Sequence, residues 1–348
     1  MGKQLSFLKG ILKNNLRMCE FAITNICTAK CKFCSIWQQQ PKVTVDTDKA
    51  LRAISHLSRL GIRFITLTGG EPLLHPDFEK LIERCNREHI TSSILNADPR
   101  IFTQRRLDAL GRCKPDLVCI SVDHYSDEVV FESRSIPDLL SHAKRAVSEL
   151  KQRGIKTMAS TLICKYNHDQ LEPLMKKCTE IGFDYISANY PEFSESSVYT
   201  LGGDAAYITK EQLVHSLEDV LELKKKYPIV NPEISVLNII DYLKNRTPKY
   251  LCLGGSRVFF VDWFFQISAC MHLARSLGNV LELKPGDIKK KLCNECSMSW
   301  YRDFSIYFHG VKSLRPLISG FSFVLGDFFL KSHKQPQRRT QPTVGRAN

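Results

Sequence analysis

From Phe21 onward, short apolar runs of strand character alternate with longer stretches whose apolar residues recur at helical spacing. An apolar run beginning near Phe21 predicts a first strand. Asp46 or Thr47 then caps a helix with Leu51, Ile54 and Leu57 on one face and Gly61 at its end. Strand Phe64 to Leu67 follows, then helix Pro76 to Asn86, strand Thr91 to Leu95 and a helix around Gln104 to Leu110. Next come strand Leu117 to Val122, helix Pro137 to Arg153, strand Thr157 to Ile163, helix Gln170 to Ile181 and strand Tyr185 to Ala188. Six βα-like steps in succession predict an α/β fold with a parallel sheet and right-handed crossovers. Periodicity does not choose between a barrel and an open doubly wound sheet. Either one gathers ligands at the carboxyl ends of its strands, where the loop after Phe21, Gly69 to Pro72, Asn96, Asp123, Asn167 and Tyr190 all fall.

Beyond that core, Pro191 to Tyr207 is a polar loop with the character of a linker or lid. Thr209 and Gln212 form a capping box for a helix to Tyr227, and a second helix covers Glu233 to Lys244. From Lys249 the pattern changes to a small hairpin spanning Val258 to Cys270, closed by Cys293 and Cys296. The organisation expected is an amphipathic helix over 1–17, the α/β core over 18–207 and a helical connector over 208–248. A cysteine-rich α+β module over 249–310, an apolar segment over 311–330 and a basic tail over 331–348 complete it. Leu5, Leu8, Ile11, Leu12 and Leu16 oppose Lys3, Lys9, Lys13 and Arg17. That stripe predicts a helix packed on the domain, with an interfacial membrane helix as the alternative. Met1-Gly2 with Ser6 also meets the minimal myristoylation pattern. Pro316 to Leu330 holds Asp327 and is too short for a transmembrane span.

Composition narrows the setting. A chain of 348 residues, 43% hydrophobic and 24% charged, is that of a globular protein with a sizeable core. The net charge is +13, but residues 331–348 hold five Lys or Arg and no acid, so the folded part is only mildly basic. That suits an anionic cofactor or a membrane surface more than specific nucleic-acid binding. Thirteen cysteines, an odd count, together with an N-terminus that lacks an apolar signal region, place the chain in a reducing cytoplasm. Cys19, Cys85, Cys113, Cys119, Cys164 and Cys178 sit singly in predicted elements and are expected to be buried small hydrophobes. The other seven form two groups.

Cys27, Cys31 and Cys34 have CxxxCxxC spacing, so one loop can bring three thiols together. Three ligands leave one iron of a 4Fe-4S cluster open to a further molecule, whereas structural zinc needs a fourth nearby, and no His occurs before His56. The spacing favours the cluster. Cys252, Cys270, Cys293 and Cys296 make a closed four-ligand set, which zinc and a fully protein-ligated cluster satisfy equally on spacing. His272 is a rival ligand. In Thr68-Gly69-Gly70-Glu71-Pro72 the glycines let backbone approach a ligand and Glu71 offers an acceptor for an ammonium group.

Taken together, Cys27-Thr-Ala-Lys-Cys31-Lys-Phe33-Cys34 and the following Gly69-Gly70-Glu71-Pro72 resemble the radical SAM (S-adenosylmethionine) superfamily over roughly Met18 to Tyr190. The resemblance implies a partial (β/α)6 barrel in which Cys27, Cys31 and Cys34 hold a 4Fe-4S cluster whose open iron is chelated by S-adenosylmethionine. It also implies that Phe33, Gly69, Gly70, Glu71 and Pro72 border the methionine part of the cofactor. Ser121 and Asp123 would lie at the ribose and methionine portions, and Leu162 and Ile163 at the adenine. The region Cys252 to Cys296 resembles the shortened auxiliary-cluster module called twitch, a relative of SPASM, and implies a second 4Fe-4S cluster. It departs from that pattern at Phe265, where a glycine is usual, so a different hairpin turn is expected.

The implied activity is that of an oxidoreductase- or transferase-type enzyme. Reductive cleavage of S-adenosylmethionine yields a 5'-deoxyadenosyl radical that abstracts hydrogen from an unidentified substrate, with flavodoxin or ferredoxin as the reducing partner. A small metabolite or lipid-like substrate is expected, oxidised with the auxiliary cluster as electron acceptor, and peripheral membrane contact with it. The alternative is a peptide maturase, disfavoured by the shortness of the segment before the barrel. Tyr190, Glu192 and Asn96 are candidate substrate contacts. A zinc-stabilised nucleic-acid-binding protein is the reading from another class, and it predicts affinity that falls steeply with salt.

Overall fold

The computed structural model describes residues 2, 3, 6, 10, 15–190, 207–271, 276–289 and 292–309. Six parallel strands follow one another in chain order: β1 Arg17–Thr24, β2 Ile62–Gly69, β3 Thr91–Asn96, β4 Leu117–Ser121, β5 Lys156–Leu162 and β6 Tyr185–Asn189. Each pairs with the next, β1 with β2 through β5 with β6, in the parallel order that the βα alternation predicts and the partial-barrel arrangement that the resemblance implies. Helices α1 Thr47–Arg59, α2 Phe78–Arg87, α3 Gln104–Cys113, α4 Asp127–Arg134, α5 Leu139–Gln152 and α6 Leu171–Ile181 connect them. Local chemistry sets the ends: the Asp46 carboxylate accepts from Lys49 N–H at 2.8 Å at the start of α1, and Gly182, at φ +100°, ends α6.

Helix α4 is absent from the pattern-based reading. It is a short helix with Val130 buried on one side, begun by Asp127 and Glu128 and stopped by Ser135 in the left-handed region. So few turns give the hydrophobic periodicity little to show.

Outward-facing β-strand residues such as Phe21, Ile65, Ile94 and Ile120 pack under the helices and are fully buried. The inward row is unusually polar: Glu20, Thr66, Ser93, Ser160 and Asn189 alternate with them on the pleat, and the Thr66 and Ser93 hydroxyls are 2.8 Å apart. A sheet this polar on its inner face is built around a cavity.

Helices α7 Lys210–Leu223 and α8 Glu233–Leu243 follow, the first started by the Thr209–Gln212 capping box. Strands β7 Val258–Val261, β8 Gln266–Ser268 and β9 Ser276–Asn279 then extend the same sheet, giving the order β6-β5-β4-β3-β2-β1-β7-β8-β9. Strand β7 pairs parallel with β1, and the β7–β8 hairpin turns through Phe265 at φ +62°. A non-glycine residue thus occupies the left-handed position, at a cost of about 1–2 kcal/mol, and its ring packs edge-on against Phe21, 6.0 Å between centroids. Helix α9 Ser299–Phe308 closes the described chain. Among the described residues no helix is long and apolar enough to cross a membrane. Most of the N-terminal stripe, the loop over 191–206 with Glu192, His272, the segment over 311–330 and the basic tail lie outside the described residues.

Candidate functional site

The cysteine loop leaves the carboxyl end of β1 and is pinned before the first thiol is reached. Thr24 Oγ1 accepts from Ile26 N–H at 3.1 Å, while Asn25 bonds Pro41 O at 2.9 Å and Val43 N–H at 2.7 Å through its side chain. The middle of the loop rides on the end of α4, with Lys30 N–H to Arg134 O at 3.1 Å and Lys32 N–H to Ser133 O at 2.9 Å. Cys31 is buried and Cys27 and Cys34 are half-buried. Burial, before all else, pushes the Cys31 thiol up to about 12 and raises those of Cys27 and Cys34. Such thiols stay protonated until a metal repays their desolvation, so metal binding here would release protons.

Gly69 and Gly70 are not interchangeable with other residues. A Cβ on Gly69, whose φ is +123°, would lie 2.1 Å from Thr24 O, and one on Gly70 would lie 2.1 Å from Ile26 O. The close approach is sealed by Gly70 N–H to Thr24 O and Glu71 N–H to Ile26 O, both 2.8 Å. These glycines therefore press the end of β2 against the root of the cysteine loop. Glu71 is fully buried and its carboxylate accepts from Ala97 N–H at 3.1 Å and Asp98 N–H at 2.9 Å. Burial, then the neighbouring Asp98, lifts its pKa to about 8. Cys27 Sγ stands 4.0 Å from its Oε1. Pro72 opens a short 3-10 turn behind it.

On the other side of the loop, Asp123 and Arg134 form a buried ion pair with Nε to Oδ2 at 2.5 Å. The guanidinium also reaches Cys31 Sγ at 3.4 Å and lies over the Phe33 ring, 5.0 Å from its centroid. Asp123 Oδ1 takes Leu162 N–H at 2.8 Å, and Asn167 clamps both Asp123 O and Leu162 O. Asp123, Arg134, Asn167 and Leu162 thus link the cysteine loop to the ends of β4 and β5. Ser121 is buried at the end of β4. Leu162 borders a cavity of about 190 Å3 inside the barrel, as do Arg134, Asn189 and Tyr190. Ile163 is fully buried in the core, away from that lining, as is Asn96, whose Oδ1 accepts from Leu73 N–H at 3.4 Å.

The second cysteine group gathers as well. Cys252, Cys270, Cys293 and Cys296 line one small cavity with Met298 and Tyr301. Cys252 and Cys293 exchange backbone hydrogen bonds of 2.9 Å, and Gly254 N–H points at Cys252 Sγ at 3.4 Å. Burial raises the Cys252 thiol. Among the described residues no three His, Cys, Asp or Glu side chains gather at single-ion spacing. Thiolates are the donors that iron–sulfur clusters take, and three from one loop or four from a closed set fit such a group in donor type.

Residues 21–178 match the family model of the Radical SAM superfamily. This stretch is similar to the radical SAM domain. The superfamily implies a 4Fe-4S cluster and S-adenosylmethionine. The chain is 25% identical over 266 residues to GTP 3',8-cyclase of Aquifex aeolicus, covering 71% of this chain and 79% of the relative. It is 22% identical over 295 residues to AdoMet-dependent heme synthase of Oleidesulfovibrio alaskensis, covering 79% and 74%. Among solved structures, native anSMEcpe with bound AdoMet and Cp18Cys peptide shares the fold with a TM-score of 0.60 and 14% identity, over 90% of this chain and 97% of that one.

Within the matched stretch, Cys27, Cys31, Cys34, Phe33, Gly69, Gly70, Glu71 and Asp123 stand together at the carboxyl ends of the strands. Sequence reasoning missed Asn25, Arg134, Glu20 and Tyr301. Asn25 carries a signal, an Asn just past a strand where the backbone needs a partner. Arg134 carries none, because its helix was not legible.

Proposed function

We propose that this protein is a radical SAM enzyme that cleaves S-adenosylmethionine reductively and takes a hydrogen atom from a small substrate. The observation that carries the reading is the tight seam between Gly69–Glu71 and the root of the cysteine loop, with Arg134 bonded to Cys31 on its far side. In this reading Cys27, Cys31 and Cys34 hold the cluster. Gly69 to Pro72, Phe33, Ser121, Asp123 and Leu162 border S-adenosylmethionine, with Ile163 behind Leu162 in the same strand end. When bound, the two cofactors supply a 5'-deoxyadenosyl radical.

The chain's own part is positioning and exclusion. Glu71 receives the Ala97 and Asp98 amides and fixes the loop after β3, so its carboxylate serves as an internal strut beside Cys27. Arg134 neutralises Asp123 and places a cation at a thiol that must ionise, which favours the thiolate. The interior leaves a reacting space of about 190 Å3, from which bound cofactor and substrate would displace water and stray hydrogen donors. Cys252, Cys270, Cys293 and Cys296 would hold a second cluster of twitch or SPASM type, which would supply an electron acceptor or shape the cavity wall. Flavodoxin or ferredoxin is the reductant.

Anaerobic reconstitution followed by iron, sulfide and zinc assay, then 5'-deoxyadenosine measurement with dithionite, tests this. Iron near eight per chain, as for two 4Fe-4S clusters, and 5'-deoxyadenosine that depends on Cys27 are expected. Zinc without iron would leave the zinc-stabilised nucleic-acid-binding reading instead.

A peptide maturase is the second reading, supported by the peptide-bound anSMEcpe of like fold. It predicts that a peptide side chain enters the cavity, so turnover should rise with the length of flanking peptide. For a small metabolite it should not.

A further inference from the structure

Strand β1 turns Cys19, Phe21 and Ile23 towards the helices and Glu20 into the barrel, where it borders the cavity. A carboxyl group in a barrel interior is costly unless something answers it. Only 5% of Glu20 is exposed, and its Oε2 accepts from the hydroxyl of Tyr301, at 2.7 Å, across 281 residues of chain. Among the described residues no donor bonds its other oxygen, Oε1. Burial is the main influence on this carboxyl and lifts its pKa to about 7 despite the Tyr301 bond. Apolar side chains, Leu95, Met158, Met271, Met298 and Trp300 among them, make up most of the remaining wall, and Thr66, Ser160, Asn189 and Arg134 also border it.

Neither the cysteine loop nor the glycine seam uses Glu20. As the acidic group of a largely apolar lining, it can fix the orientation of an otherwise apolar ligand. The cavity, about 190 Å3, exceeds the ~150 Å3 engineered cavity that takes benzene, so a ring-sized group fits. The flexible thioethers of Met158, Met271 and Met298 adapt to the shape of such a group.

We infer that this cavity is the substrate subsite, that it takes a small group bearing one hydrogen-bond donor, a hydroxyl or a protonated amine, on an apolar frame, and that Glu20 receives the donor. The inference rests on the proposed function for what the subsite serves, but the binding chemistry stands on Glu20 and the cavity. Tyr301 holds the carboxyl in place and is a positioning residue. It also lines the four-cysteine cavity, and Met298 borders both cavities, so the bound group would sit against the wall they share.

The test uses full-length protein, reconstituted anaerobically and loaded with S-adenosylmethionine, with 4-fluorobenzylamine, 4-fluorobenzyl alcohol and 4-fluorotoluene as probes in fluorine NMR at pH 8.5. The amine and the alcohol should each bind about tenfold or more tighter than fluorotoluene, as a hydrogen bond to a charged group supplies. Glu20→Gln should abolish the amine preference while keeping most of the alcohol preference, since an amide oxygen still accepts from a hydroxyl. Trp300→Ala should weaken all three probes. Equal affinity for the three probes in the wild type, or an amine preference that survives Glu20→Gln, overturns the inference, and so does binding indifferent to Trp300→Ala. Should Glu20→Gln not fold, Tyr301→Phe decides: freeing the carboxylate must keep or raise the amine preference, and its loss counts against the assignment. Formation of 5'-deoxyadenosine by the same wild-type preparation reports on the radical SAM reading separately. Selectivity without 5'-deoxyadenosine sinks that reading and leaves the subsite, and the converse result sinks the subsite alone.

Discussion

Replacing Gly70 by alanine puts a methyl carbon 2.1 Å from Ile26 O, one residue before the first cysteine of the loop. Contacts of that kind essentially never fall below 3.0 Å, so either the loop or the end of β2 must retreat by about 0.9 Å. Both sides are backbone, and no flexible side chain can absorb the movement. The retreat strains Glu71 N–H to Ile26 O and Gly70 N–H to Thr24 O, each 2.8 Å at present. Losing both costs about 2 kcal/mol at about 1 kcal/mol per bond. Cys27 moves with Ile26, so retention of iron should fall as well as stability. Urea unfolding of the metal-free chain measures the first effect and iron per chain after anaerobic reconstitution the second. Gly286→Ala is the control, because nothing lies within 4 Å of its added carbon. Gly70→Ala protein with wild-type midpoint and full iron would refute the role given to the seam.

The buried Glu20 carboxyl, raised by burial from 4.5 to about 7, stabilises the fold most below pH 4.5 and loses that share as pH rises through 7. At 1.36 kcal/mol per unit the share is about 3 kcal/mol. Urea unfolding should therefore show a wild-type decline across this window that is smaller by that amount in Glu20→Gln, and parallel pH profiles would contradict it. Arg134→Ala leaves Asp123 buried without its cation and should destabilise the chain by about 3–5 kcal/mol, read as a shift in the urea midpoint, and a change below about 1 kcal/mol would place the pair among ordinary surface contacts. Replacing Cys252 and Cys270 by alanine should remove about half the iron of the reconstituted protein, with Cys27-dependent 5'-deoxyadenosine formation persisting. Full iron in that double variant would exclude a cluster at the four-cysteine cavity.

The parallel α/β core was legible in the chain alone, because short strand-like segments from Ile62 to Asn189, rich in β-branched residues, alternate with amphipathic helices. The sequence likewise determined the two cysteine groups and the Gly69–Gly70 pair, since spacing along a single loop is a local property. Only the tertiary structure decided what those glycines touch. They press on Thr24 and Ile26, 45 and 44 residues earlier in the chain, and such an approach leaves no mark on the pattern around Gly70. Helix α4 was hidden by its brevity, and with it Arg134, whose three partners Asp123, Cys31 and Phe33 come from two other loops. The hairpin after Cys252 was legible, but its attachment to β1 was not, because strand pairing is a long-range choice among several edges of similar character. Glu20 is the clearest case. In the chain it is one acid in an apolar run, and only the closure of α9 over the barrel, bringing the Tyr301 hydroxyl to its carboxylate, turns it into the acidic group of a largely apolar cavity wall.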